Sequence, residues 1–336
     1  MSRSLVPITL CLFSTLAFSA CSIADDHGVD VDPRYQHTSE LDPAEMERLV
    51  VDWSNGDIEV RADDGETVRL TAVGWRGGEP LEPAVWLDKL TFELGEGRLF
   101  CRYDRELFQT VAVSLRLLVP RGFNAEIDTS NGAVTVNGLD GLRVDTSNGD
   151  VLVRDTAGPL SVDTSNGEVD ISLLGGPRGE IRADSSNGSV KVIISGDHDG
   201  AVELSSSNGG LVLRVEGVQR GDVVLDSSNG SLNISYGGFS GTTSGDTSNG
   251  SIDVVLGTVP AGMAVEAETT NGEVVCDLPG AELRSGQAGG SIMRSGDGPQ
   301  LLLDTTNGGL TIRYDENAAP IKPEAAAGST DEEGGA

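Results

Sequence analysis

The sequence predicts an all-β protein, a single-stranded β-solenoid with about 11 short rungs and a β-rich cap at its N-terminal end; it does not fix the hand of the coil, for which right-handed is the usual sense. Three observations carry this. The dipeptide Asn-Gly recurs in one frame, at Asn55, Asn131, Asn148, Asn166, Asn187, Asn208, Asn229, Asn249, Asn271 and Asn307. Apolar and polar residues alternate on both sides of every copy. Fixed polar columns surround each Asn.

From Asn131 to Asn271 the copies are 17, 18, 21, 21, 21, 20 and 22 residues apart. The last step, to Asn307, is 36, or twice 18, and Gly289-Gly290-Ser291-Ile292 stands in that gap as a decayed copy. A unit of about 20 residues cannot bury a face alone, so repeats of this size stack. Three and five residues after Asn come apolar pairs such as Val151/Val153, Leu211/Leu213 and Leu310/Ile312. Four and six before it come Val144/Leu142 and Leu303/Leu301. A period of two on each side marks strand, turn, strand, each strand with one buried face.

Asn-Gly predicts a type I′ turn, with positive φ at both residues. Hairpins would share that feature, and the polar columns distinguish a stack from them. Three before the Asn stands Asp52, Asp128, Asp145, Asp163, Asp184, Asp226, Asp246 or Asp304, replaced by Ser205 and Glu268. Two before it is Thr or Ser, except for Trp53, and one before it is always Ser or Thr. A hairpin requires only the dipeptide. Rungs stacked at about 4.8 Å turn each column into a ladder of like side chains. The turn and ladder positions expected on this basis are Asn131, Gly132, Asn148, Gly149, Asn166, Gly167, Asn187, Gly188, Asn229, Gly230, Asn249 and Gly250. The full stack would rise about 50 Å.

The flanks have other compositions. Residues 1–20 read as a lipoprotein-type signal peptide: Arg3 is the positive start, Leu5 to Phe18 the apolar stretch, and Leu16-Ala17-Phe18-Ser19-Ala20-Cys21 resembles a lipobox. Cys21 is the expected lipidation site. Phe18 stands where Leu is usual, and plain cleavage near Ala20 is the alternative. Residues 21–46 read as an acidic flexible tether. Residues 47–127 hold the first rung and a capping strand region, with strand-like alternation at 58–75, 89–95, 98–104 and 110–119 and a short helical turn at Glu82 to Asp88. Residues 128–314 are the Asn-Gly solenoid. Residues 315–336 read as a disordered acidic tail. Cys101 and Cys276 are expected too far apart to pair, with Cys276 a small hydrophobe on the inward side.

Val113-Ser114-Leu115-Arg116-Leu117-Leu118-Val119-Pro120-Arg121-Gly122, followed by Asp128-Thr129-Ser130-Asn131-Gly132, resembles the bacterial "putative adhesin" family of β-strand repeat proteins, a domain of undetermined function with serial TSNGdI units. The likeness covers roughly residues 48 to 314, by the extent of the repeat. It implies a β-helical fold and a cell-envelope location, and it brings no catalytic residues. Trp53, the decayed copy and the strong acidity depart from the family pattern.

Lys plus Arg is 23 and Asp plus Glu is 53, a formal charge of −30. That surface repels nucleic acid and polyanions, so no nucleic-acid partner is expected. The Asp column repeats a like-charge contact in every rung and requires an offset. One offset is local, an Asx-turn in which each Asp accepts from its own turn's backbone. The other is a weak Ca²⁺ column along Asp128, Asp145, Asp163, Asp184, Asp226 and Asp246. No other metal or cofactor is expected. His27, His37 and His198 are scattered, and no nucleophile–base set or singled-out carboxylate pair is visible. These observations point to a monomeric, non-catalytic envelope lipoprotein. Its partners would be the membrane, through the lipid, and a glycan or surface-protein ligand. The alternatives are a polysaccharide-active β-helix lyase or hydrolase and an inert spacer.

Overall fold

The computed structural model describes residues 31–42, 48–95, 98–103, 110–176, 179–286 and 289–315. The signal segment, Cys21 and the tail from 316 onward therefore lie outside the described residues.

Each repeat contributes two strands, one before its Asn-Gly and one after. The leading strands form one 14-stranded sheet and the trailing strands another. Gly141–Thr146, for example, pairs in parallel with Asn124–Thr129 on one side and Leu160–Thr164 on the other. Val151–Arg154 does the same between Val134–Asn137 and Val169–Leu173. The two strands of one repeat belong to different sheets, so Asn-Gly is a corner between sheets and not a hairpin turn. The inward columns meet between the sheets in one continuous core. Leu142, Val144, Val151, Val153 and their counterparts in later rungs are buried, except that Val274 and Cys276 at the sheet edge are half-buried. Parallel pairing in register places like residue on like, which lets one short motif fill the core repeatedly.

The predicted type I′ geometry is not what forms. None of the turn asparagines has positive φ, and among the turn glycines only Gly56 and Gly132 do, at 121° and 133°. Glycine is needed for a different reason. A Cβ on Gly149, Gly167, Gly188, Gly209, Gly230, Gly250 or Gly308 would overlap the carbonyl oxygen of the turn glycine one rung earlier in the stack.

At both ends the order of rungs in space departs from the order in the chain. The Asn55 rung, Arg48–Asp52 and Ile58–Asp63, lies between the Asn131 rung and a layer made of Arg98–Tyr103 and Ala112–Pro120. At the other end the final rung, Gln300–Thr305 and Leu310–Tyr314, is inserted between the Asn249 and Asn271 rungs. The decayed copy is not a rung. Gly290–Arg294 runs antiparallel to both Ala264–Thr269 and Glu282–Ser285, and this hairpin closes the leading sheet. It has no Asn to continue the side-chain ladder, and the Asn271 and Asn307 rungs, between which it was expected to stand, pair directly with each other.

The N-terminal cap forms as expected, with the 58–75 stretch divided into Ile58–Asp63 and Val68–Arg76. Short 3-10 turns at Pro83–Val85 and Leu87–Lys89 bracket Trp86, which is fully buried. Its indole lies against Gly74, where any Cβ would collide with the ring. Part of the segment read as a tether is structured: Gln36–Leu41 pairs antiparallel with Val68–Arg76. Both its faces are largely polar, so no apolar alternation announces it, and the open edge beside it dictates the pairing. Cys276 is a free, half-buried thiol at one end of the trailing sheet. Cys101 lies on a strand near the opposite end of the leading sheet. Among the described residues no helix is long and apolar enough to cross a membrane.

Gly188→Ala tests the stacking constraint. Its Cβ would meet the Gly167 backbone, which has no flexible end to move aside. The substitution should destabilise the chain by about 3 kcal/mol in a denaturant titration, although Ala suits extended backbone as well as Gly does.

Candidate functional site

The corners between the sheets align into a ridge along the stack, and its centre line is an asparagine ladder. Asn131 Nδ2 donates to Asn55 Oδ1 (2.8 Å), Asn148 to Asn131 (3.0 Å), Asn166 to Asn148 (2.8 Å) and Asn187 to Asn166 (2.8 Å). Asn208, Asn229 and Asn249 continue it, followed by Asn307 and then Asn271. From Asn131 to Asn307 each Nδ2 also donates to the main-chain carbonyl that precedes the neighbouring Asn, as Asn187 does to Ser165. Asn131, Asn148, Asn166, Asn187, Asn229 and Asn249 lie on this ladder, and so do Asn55, Asn208, Asn271 and Asn307.

Beneath the ladder lies the Thr/Ser column, buried throughout. Thr164, Ser185, Ser206, Ser227, Thr247, Thr305 and Thr269 each donate to the turn-glycine carbonyl of the adjacent rung. Four of them also accept from the N–H of their own turn glycine: Thr164 from Gly167, Ser185 from Gly188, Ser206 from Gly209 and Ser227 from Gly230. The hydroxyls of Thr129 and Thr146 have no such partner. Their column neighbours are Gly56 and Gly132, the two turn glycines with positive φ. Trp53 takes the next place in the column, and its indole N–H donates to the Val113 carbonyl at 2.8 Å.

The Asp column runs beside the ladder on the outer face of the leading sheet. Register places Asp52, Asp128, Asp145, Asp163 and Asp184 side by side, followed by Ser205, Asp226, Asp246, Asp304 and Glu268. The expected Asx-turns do not form. The turn N–H groups are already engaged: the Asn N–H bonds to the adjacent rung, and in four rungs the Gly N–H bonds to the buried hydroxyl. The like-charge contact is thus expressed. Partial burial raises the carboxyl pKa of Asp163, and Asp184 and Asp145 add to it. Asp128 and Asp246 are raised in the same way, by burial and then by their column neighbours. Relief is partial: Ser205 interrupts the column and donates to Asp184, and Arg143 lies 3.8 Å from Asp145. Among the described residues no group of three or more His, Cys, Asp or Glu side chains converges as a metal site.

A second set of carboxylates had not been singled out from the sequence. Asp57, Asp150, Asp155, Asp197, Asp222 and Asp277 each accept a backbone N–H from an adjacent rung. They cap the ladder where strand pairing lapses. The signal available was position, since Asp57 and Asp150 both stand two residues after their Asn. Arg220 joins two such loops, donating to both Asp197 and Asp199.

Fold and ridge together define a two-sheet β-solenoid held by an asparagine ladder. The Toastrack DUF4097 family model matches residues 40–223, more than half of the chain, and the chain belongs to that family. Solved structures resemble it loosely. A "putative adhesin" from Bacteroides fragilis shares 12% identity over 83% of this chain and 97% of its own, with a TM-score of 0.41. A "putative lipid binding protein" from Parabacteroides distasonis shares 12% over 83% and 96%, with a TM-score of 0.36. A "putative cell adhesion protein" from Clostridium sporogenes shares 10% over 83% and 99%, with a TM-score of 0.25. No match to a curated protein sequence was found.

Two predictions follow from the ridge chemistry. Thr247→Val leaves the Gly230 carbonyl unpaired and should cost about 1–2 kcal/mol, whereas Thr146→Val, which removes a hydroxyl without a partner, should be neutral or stabilising. Paired denaturation curves distinguish the two. The second concerns pH. With its native pKa above the ordinary 3.8, Asp163 binds more protons folded than unfolded in the window just above 3.8. Stability therefore falls as pH rises through that window, and the penalty is complete at neutral pH. Asp163→Asn should raise Tm by roughly 1 °C at pH 7, with the gain vanishing as pH approaches that of the free carboxyl. Asp170 has the opposite sign. Burial raises it, but bonds from Arg154 and Lys191 outweigh burial and leave its pKa lowered. Asp170→Asn should lower Tm at pH 7, and that loss should fade as pH falls below 3.8.

Proposed function

We propose that this chain is an exported, non-catalytic binding module, anchored to the cell envelope through a lipid on Cys21. The observation that carries the binding part is the ridge. It presents an Asp at most rungs, and at each rung an Asn and the Ser or Thr directly before it, spaced by the backbone itself, so it suits an extended or repetitive partner. The ladder groups bond chiefly to one another, and this favours display over chemistry. The carboxylate column gives the face its sign, which suits cationic groups on a glycan or surface protein, or a weakly held Ca²⁺ bridging neighbouring carboxylates. The anchoring part rests on the segment ending at Cys21, whose form is that of a lipoprotein signal.

Each part has its own test. Cys21→Ser should shift the protein from the detergent-extracted membrane fraction to the soluble exported fraction, and unchanged fractionation would end the lipid reading. The mature protein should bind cells or a glycan array, and neutralising Asp128, Asp145 and Asp163 to Asn should weaken that binding several-fold. Binding that is indifferent to these changes would place the surface elsewhere. An inert protein would be a spacer, and turnover of acidic polysaccharide would make it an enzyme.

A further inference from the structure

We infer that Asn271 is a site of spontaneous covalent modification, in which its side-chain amide is lost and an aspartate or isoaspartate replaces it. The reaction is intramolecular. The Gly272 backbone nitrogen attacks Asn271 Cγ and a C–N bond forms; the Gly272 N–H proton passes by way of solvent to the side-chain amide nitrogen, the Cγ–Nδ2 bond breaks and ammonia leaves. Water then opens the resulting cyclic imide at either carbonyl. The net change is asparagine plus water to carboxylate plus ammonium, with no oxidant or reductant. A following glycine leaves the attacking nitrogen unhindered, so all eleven Asn-Gly pairs, the ten of the repeat frame and Asn137-Gly138, share this chemistry, and structure decides which of them react.

The ladder restrains most of them. From Asn131 to Asn307, eight asparagines donate to one neighbouring Asn, accept from another, and donate to a main-chain carbonyl. Turning Cγ toward the next nitrogen breaks these bonds together. At Asn166, Asn187, Asn208 and Asn229 the attacking nitrogen is itself tied to a Thr or Ser hydroxyl. Asn271 ends the ladder. Among the described residues its side chain makes one such bond, Nδ2 to Asn307 Oδ1 at 3.0 Å. Its Oδ1 accepts from no further rung, and the Thr269 hydroxyl, which donates to the Gly308 carbonyl, does not also accept from Gly272 N–H. The residue is exposed, and the strand that follows, Val274–Cys276, is three residues long at the sheet edge.

Two consequences follow from the place of Asn271 in the fold. The new carboxylate cannot donate to Asn307, and it adds charge beside Asp304 and Glu268. The isoaspartate product also lengthens the backbone between residues 271 and 272, which moves Val274–Cys276 out of register with Leu310–Tyr314. Modification at this residue therefore loosens the C-terminal end of the stack and leaves the interior rungs intact.

The test is to incubate the intact mature protein at mildly alkaline pH, map deamidation by mass spectrometry and detect isoaspartate by enzymatic methyl labelling. The same incubation is repeated in urea. Asn271 should convert on the order of tenfold faster than Asn166, Asn187, Asn208 and Asn229 in the folded protein, because local opening costs fewer bonds there. In urea that advantage should disappear. Equal rates in the folded chain would overturn the inference. An advantage for Asn271 that persists in urea would do so too, since it would assign the reactivity to neighbouring sequence and not to the end of the ladder.

Discussion

The backbone carbonyl of one turn glycine occupies the space that a Cβ on the next rung's glycine would need. The remainder of the structure depends on that close approach. It brings successive corners to strand spacing at a point where the chain changes sheets and ordinary ladder pairing lapses. Once the corners are that close, Asn can reach Asn, and the hydroxyl beneath can reach the adjacent glycine carbonyl. The ladder follows from the glycine stack, and each rung added supplies partners to the one before.

This arrangement explains why the ridge carries so much charge and still holds. The turn N–H groups that could have neutralised the Asp column are used within the stack. The carboxylates are left to solvent, to a few arginines and to one serine. The fold tolerates the raised proton affinity of Asp128, Asp163 and Asp246 because each contact is largely exposed and individually weak. A surface with a repeated small penalty is also one that a cationic partner would stabilise. That links the energetics of the fold to the proposed role.

Much of this was legible in the sequence. Period-two alternation identified the buried faces, and the constancy of the Asp, Thr/Ser and Asn columns gave the register. Asn131 does stack on Asn55, 76 positions away in the sequence. The local geometry was misread because the dihedral preference of Asn-Gly in hairpins is a property of isolated turns, whereas here the neighbouring rung sets the conformation. Rung order was not legible at all. Identical columns in every copy make any two rungs compatible, so the sequence cannot say that Asn307 enters between Asn249 and Asn271. The stretch around Gly289 was counted as a rung on spacing alone, and its antiparallel pairing reflects the hairpin that forms with Glu282–Ser285. Gln36–Leu41 escaped notice because an edge strand polar on both faces carries no hydrophobic signal.

The most direct measurement of the account is a set of spin-label distances along the outer face of the trailing sheet. Thr135 is paired in turn with Asp253, Thr311 and Val275, which occupy successive rungs near the C-terminal end. At about 4.8 Å per rung, the distances should lengthen in the order Asp253, Thr311, Val275, so that residue 311 lies nearer to 135 than residue 275 does. A shorter distance to 275 than to 311, or a series without a constant increment, would contradict both the stacked corners and the inserted final rung.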